Sequence, residues 1–131
     1  MIFTEAELKY LEGQLLGRLA TIGPDGGPQN KPVTFQFNPE TQTIDIGGHN
    51  MGRSRKFKNV GTHPLVSLVV DDVSEHFRCI EIRGSAEALT GQAPLQPGFS
   101  EEIIRIRPSR VISANINPGV TGQVGRDIPT P

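Results

Sequence analysis

The sequence has no tryptophan, one tyrosine (Tyr10) and one cysteine (Cys79). A lone thiol excludes a disulfide within the chain and fits a reducing, cytoplasmic setting. Neither sign of charge is in excess: 13 Lys+Arg stand against 14 Asp+Glu, a formal net charge of −1. A general binder of nucleic acid or membrane surfaces would carry a basic surplus. Single-strand binders also need stacking aromatics, and aromatics make up only 5% of this chain. No run approaches the roughly eighteen consecutive apolar residues of a membrane span. The opening residues, MIFTEAELKY, lack the cationic start and apolar stretch of a signal peptide. His49, His63 and His76 are well separated and none stands at a metal-ligand spacing with Cys79, so no metal site is expected. Cys79 itself reads as a small core or near-core residue. No Ser, Cys and His combination suggests a nucleophile, so no catalytic side chain is assigned. Any chemistry would have to come from a cofactor that the protein holds.

What the chain does have is turn formers, 15 Gly and 11 Pro in 131 residues, as expected of a mainly β, turn-rich protein. The length suits one domain over 1–131. Thr4 and Glu7 form a capping box and Phe3 and Leu8 a hydrophobic staple, which start a helix striped by Leu8, Leu11 and Leu15. Gly13 and Gly17 weaken its end. The period then changes to two. RLATIG (18–23), the turn PDGG, QNKPVTFQF (29–37) and TIDIGG (43–48) read as an antiparallel meander. Val33, Phe35 and Phe37 make the core face of the second strand, and Pro32 assigns that part of it to an edge or a bulge.

A short helix is expected next, ending at Gly61. LVSLVV (65–70) follows, stopped by Asp71-Asp72 in a solvated turn. A long strand over Arg78–Leu89 carries a bulge at Gly84. The loop 91–100 leads to a last strand in EIIRIRPSRVISANI, which Pro108 interrupts. The segment 118–131 is expected to be a loose tail. Six antiparallel strands with two helices imply a closed or split β-barrel.

One stretch stands out. GGHNMGRSRKFKNV (47–60) places Arg53, Arg55, Lys56 and Lys58 within six residues, in a chain of nearly zero net charge. Cations at a helix N-terminus are ordinarily unfavourable, by ~0.3–1 kcal/mol each, unless an anion faces them. Two readings follow from the residues. The cations line a solvated helix face with their stems over apolar surface, or they hold a phosphate together with the helix amides and Ser54. The run GGHNMGRS imitates a P-loop with arginine in place of lysine. A P-loop, however, needs a parallel sheet with crossover helices, which two helices cannot supply.

Taken together, the leading helix, LATIGPDGGPQ, KPVTFQF and GRSRKFKNVGTHPLVSLVV resemble the pyridoxamine 5′-phosphate oxidase-like group of flavin and deazaflavin oxidoreductases. The resemblance is nearest to its small F420-dependent branch and runs to about Pro118. It implies an FMN-binding type of split β-barrel with six antiparallel strands, and an oxidoreductase that moves hydride between F420, or alternatively FMN, and a small organic acceptor. It implies that Ser54, Arg55 and Lys56 hold the cofactor phosphate, and that Pro32, Val33 and Thr34 lie along the tricyclic ring, largely through backbone. Gly48 and His49 would line the same cleft, and Asn59 would stand near the helix end in a structural or a contact role. A homodimer with cofactor sites at the subunit interface is also implied, with a small-molecule substrate and no nucleic-acid or membrane partner. Lys31, beside the ring segment, is expected to reach solvent, with the cofactor's acidic tail as its alternative partner. The sequence departs from the family near Asn115, where an aromatic residue is common. A flavin-, F420- or haem-binding protein without turnover is the second reading.

Overall fold

The computed structural model describes residues 2–129. Helix α1 spans Glu5–Glu12. It begins as the capping box requires, with the Thr4 hydroxyl accepting from the Glu7 N–H at 3.1 Å and the Glu7 carboxylate accepting from the Thr4 N–H at 3.0 Å. Phe3 is buried beside it. The helix stops at Gly13, so the expected stripe ends at Leu11. Leu15 lies outside the helix and is 88% exposed. The apolar period beyond Gly13 has nothing to pack on.

The strands are β1 (Gly17–Ile22), β2 (Pro28–Asn38), β3 (Thr43–Gly47), β4 (Leu65–Asp72), β5 (Arg78–Leu89), β6 (Ile103–Ala114) and β7 (Gln123–Asp127). A 3-10 turn, Met51–Arg53, and helix α2, Arg55–Thr62, join β3 to β4. The order β3-β2-β1-β4-β5-β6 closes on itself through β3–β6, which makes a six-stranded antiparallel barrel, and β7 adds to it along β6. β6 can serve three neighbours because its length is divided. Ile104–Ile106 face β3 while Arg110–Ala114 face β7.

Alternation fills the barrel as the period of two demands. Leu19, Ile44, Ile46, Leu68, Val70, Ile80, Ile82, Ile104 and Ile106 are at most 1% exposed. Burying each such side chain stabilises by roughly 1.5–3 kcal/mol relative to leaving it in water. Phe35 and Phe37 are only partly buried against this core, and Phe37 meets Phe3 edge-on at 5.7 Å.

Several expectations resolve physically. The half of β2 that contains Pro32 has β1 on one side and no strand on the other, because β3 pairs only with Thr34–Asn38. Pro32 therefore sits on an edge. The bulge falls at Gly84, opposite Pro108. A Cβ on Gly84 would stand 2.1 Å from the Arg107 carbonyl oxygen, so only glycine lets the backbones approach. Pro108 for the same reason bends β6 without ending it.

Two expectations are corrected. Asp71 and Asp72 are the last residues of β4, not a solvated turn. Asp72 accepts from the Tyr10 hydroxyl at 2.8 Å and pairs with Arg78 at 3.0 Å. The tail beyond Pro118 is not loose among the described residues, since Gln123–Asp127 pairs in register with β6. The described residues thus hold seven strands, the six expected of the barrel and β7 outside its closure. Arg126 of β7 reaches the fully buried Glu7 of α1 at 2.6 Å and donates to the Ile2 carbonyl at 2.9 Å. Burial by itself would raise the Glu7 carboxyl, but Arg126, Asn117 and the Thr4 N–H together hold it below its ordinary value. β7 and α1 are clasped by one buried charge pair.

Candidate functional site

The candidate site forms where β3 ends. Thr34 on β2 stands opposite Gly47 on β3, so the segment 32–34 and the glycine turn at 47–48 are neighbours. The chain leaves β3 through Asn50, in the left-handed region at φ 51°, enters the 3-10 turn, and extends at Ser54 to start α2. Ser54 is the cap of α2. Its Oγ accepts from the Phe57 N–H at 3.3 Å and donates to the Met51 carbonyl at 2.7 Å. The hydroxyl proton is therefore already committed to the fold, so a phosphate would have to displace that carbonyl to receive it.

The cations that follow are uncompensated. Arg53, Arg55 and Lys58 are exposed and Lys56 half-buried. The first turn of α2 holds no acidic residue. Among the described residues, every arginine outside 53–55 has a carboxylate partner, yet Arg53, Arg55, Lys56 and Lys58 enter no ion pair. Burial, and after it the charge of Lys31, pushes the Lys56 ammonium below its ordinary value. Lys31 itself is exposed.

Asn59 is buried, and its amide donates to the Thr21 hydroxyl at 3.0 Å and to the Gln29 side-chain carbonyl at 2.8 Å. These two bonds tie α2 to β1 and β2. Val33 is buried at 4% exposure in the core, so only its backbone can face a ligand. Pro32 is exposed and Thr34 half-buried. The unpaired side of β2 at 28–33 leaves backbone groups open at this point.

Gly48 and His49 are tied to the loop 91–100, which the sequence offered only as a connector. The Gly48 carbonyl accepts from the Ser100 N–H at 3.0 Å and from its hydroxyl at 3.2 Å. His49 Nδ1 lies 2.9 Å from the Gly98 carbonyl. Because a carbonyl only accepts, Nδ1 is the donor, and Nε2 is left for another partner. The ring stands edge-on to Phe99 at 5.0 Å. Leu95 and Phe99 press on Gly47, where a Cβ would meet them at 2.9 and 3.0 Å. The paired glycines at 47–48 were the sequence signal for this close approach, but they do not name the loop that makes it.

Other groups are accounted for. Asn115 donates to the Phe77 carbonyl at 2.9 Å and accepts from the Gly122 N–H at 3.2 Å, so it holds the end of β6 in place of an aromatic. Burial, with Asp71 and Glu81 nearby, pushes the Cys79 thiol up and leaves it a poor nucleophile near neutrality. Among the described residues no cluster of three or more His, Cys, Asp or Glu could hold a metal. No helix of the structure is long and apolar enough to cross a membrane.

Cation heads without carboxylates, a helix start and an open strand edge form a donor set that fits a phosphorylated ring cofactor. The surface there is open. Two concavities lie elsewhere, one of about 570 Å³ between α1 and β2 and one of about 710 Å³ beside Arg107 and Ile128. Neither includes residues 32–34 or 54–56.

Comparison with known proteins agrees with the geometry. A curated relative, the 5a,11a-dehydrotetracycline/5a,11a-dehydrooxytetracycline reductase of Streptomyces rimosus subsp. rimosus, is 46% identical over 98% of this chain and 94% of its own. The fold is similar to that of a solved F420 reductase, with a TM-score of 0.65 and 25% identity over 79% of this chain and 93% of that one. A heme binding protein from Mycobacterium smegmatis superposes with a TM-score of 0.68 and 14% identity over 97% of this chain and 60% of its own. At that identity the likeness concerns the fold alone. Residues 3–116 match the family model described as pyridoxamine 5′-phosphate oxidase, and the chain belongs to that family.

Proposed function

We propose that this chain is a reductase that moves hydride between a phosphorylated deazaflavin, F420, or alternatively FMN, and a small organic acceptor. Its class, a cofactor-dependent oxidoreductase, rests on the family match and on the reductase relative. The observation that carries the cofactor reading is the run of uncompensated cations at the start of α2.

When bound, the deazaflavin or flavin supplies the hydride chemistry. Arg55, Lys56 and the N–H groups that helix geometry leaves free in the first turn of α2 would hold its phosphate. Ser54 would join them only by releasing the Met51 carbonyl. The open edge of β2 at Pro32 and Val33, with Thr34 where β3 joins it, would present backbone to the ring, while Gly48 and His49, steadied by the loop 91–100, would flank it. Asn59 would act at a distance, by holding α2 in register with β1 and β2. Hydride transfer depends on the distance and orientation of donor and acceptor, so the lack of a nucleophile in the site is no obstacle.

The open surface of the single chain supports a homodimer in which a second copy covers the site. Leu15, Leu16, Leu65, Val73 and Phe77 are large apolar side chains more than half exposed, and they are the candidates for burial between copies. A free, half-buried thiol at Cys79 is at home in a reducing, cytoplasmic compartment. The relative's name makes unsaturated dehydro compounds the first acceptors to try.

The test is a pair of fluorescence titrations of the purified protein with F420 and with FMN. Tight binding of one names the cofactor, and binding of neither overturns the reading.

A further inference from the structure

His49 differs from the other two histidines in being held. All three are exposed, yet only the ring of His49 is fixed among the described residues, and at two points. Nδ1 donates to the Gly98 carbonyl at 2.9 Å, and the ring meets Phe99 edge-on at 5.0 Å. The backbone around it is fixed as well. Ser100 Oγ accepts from the Met51 N–H at 3.1 Å and donates to the Gly48 carbonyl at 3.2 Å, and the Gly52 N–H donates to the Glu102 carboxylate at 3.2 Å. The turn after β3 and the segment 98–102 therefore hold each other on both sides of the imidazole.

Such a ring has one nitrogen committed and one free. With the Nδ1 proton given to a backbone carbonyl, the neutral ring carries its lone pair at Nε2, and the charged ring carries a second N–H there. The Gly98 contact survives in both forms, so Nε2 can gain or give up a proton without the ring moving. A hydrogen bond to Gly98 alone would need no more than a short amide. The imidazole places a second nitrogen beyond it, and no carboxylate pairs with that ring among the described residues. His49 stands two residues past Gly47, which faces Thr34 across the β2–β3 pair.

Reduction of an unsaturated acceptor needs a group of this kind. Hydride added to the alkene carbon of a conjugated carbonyl pushes the π electron pair onto the carbonyl oxygen, and that oxygen requires a proton. The Ser54 proton is already given to Met51. We infer that His49 is a catalytic residue that gives the Nε2 proton to the oxygen of an acceptor whose carbon–carbon double bond is conjugated to a carbonyl. One C–H and one O–H bond form, the enol tautomerises to the saturated carbonyl compound, and the imidazole takes its proton back from water. The inference rests on the cofactor reading above for the source of the hydride.

The experiment begins without cofactor. Heteronuclear NMR of the histidine nitrogens in wild type should find the proton of neutral His49 on Nδ1, and a proton on Nε2 instead overturns the inference. Wild type and His49→Asn are then titrated with F420 and with FMN. Loaded with the reduced cofactor that binds, they are assayed on cyclohexenone and on 5a,11a-dehydrooxytetracycline, the compound in the relative's name. His49→Asn keeps a donor for Gly98 and removes the second nitrogen. Its affinity for the cofactor should stay within a factor of about three of wild type, while kcat falls about 100-fold. Unchanged turnover in His49→Asn, a loss confined to KM, or reduction of neither enone by loaded wild type overturns the inference and leaves the cofactor reading standing. A loss of cofactor affinity as large as the loss of turnover also overturns it, and makes His49 a cofactor contact. Binding of neither cofactor by wild type overturns the reading and the inference together.

Discussion

Along the sheet, Arg18, Arg78, Arg83, Arg105, Arg107, Arg110 and Arg126 each hold a carboxylate. At the start of α2, Arg53, Arg55 and Lys56 hold none. The two sets differ in what they face. Arg105 lies over Asp45, which is 3% exposed, and Arg126 over Glu7, which is fully buried. These pairs come from residues far apart in sequence and close the barrel and its added strand. The cations of α2 come from one continuous run and enter no ion pair among the described residues. Nearly balanced net charge therefore conceals an uneven distribution: internal neutralisation across the sheet, and a positive surplus at one helix start. That surplus is unfavourable for the fold by itself, and the negatively charged ligand proposed above would relieve it.

The largest effect should come from breaking the buried pair. Arg126→Met leaves the Glu7 carboxylate buried without its cation, and urea denaturation is expected to show a loss of ~3–5 kcal/mol. If Arg126→Met is as stable as wild type, the clasp between β7 and α1 has been misread.

The same pair predicts a dependence on acid. The folded Glu7 carboxyl lies below its ordinary value of 4.5, so its stabilisation is complete above the unfolded value and is lost as pH falls through the folded one. Glu7→Gln should be the less stable protein at pH 7, and the gap in urea midpoint should narrow once pH drops under the ordinary carboxylate range. A gap that stays constant with pH would remove the charge from this explanation.

On the other side of the comparison, Arg55→Ala with Lys56→Ala should leave the fold at least as stable, because it relieves the helix N-terminus. It should nonetheless weaken cofactor binding at least tenfold, more than ~1.4 kcal/mol. Smallest of all is the exposed pair of Arg107 and Glu87, whose side chains are 54% and 49% accessible. Arg107→Ala should change stability by about 1 kcal/mol or less, and a larger change in thermal melting would mean that exposed and buried pairs are not distinct here.

Much of the fold could be read from the residues because its signals are local. The capping box of Thr4 and Glu7, the alternation of Ile80 and Ile82, and the glycine in the run Arg83-Gly84-Ser85 each act over a few positions. β7 was missed because Gln123, Val124, Gly125, Arg126 and Asp127 have no apolar alternation. What makes them a strand is the free edge of β6 and a charge pair with Glu7, 119 positions away. In the site, the basic run was legible as an anomaly of charge, but not the commitments of its neighbours. That Ser54 gives its proton to Met51, that Asn59 donates to Thr21 and Gln29, and that the loop 91–100 grips Gly47 and His49 are facts of tertiary contact.

The central claim is that the unpaired cations of α2 hold a cofactor phosphate. Its most direct test measures F420 and FMN binding and thermal melting side by side for wild type and the Arg55→Ala, Lys56→Ala double variant. The account predicts that wild type binds one cofactor tightly, and that the double variant binds it at least tenfold more weakly while melting no lower. Equal binding by the two proteins would contradict it.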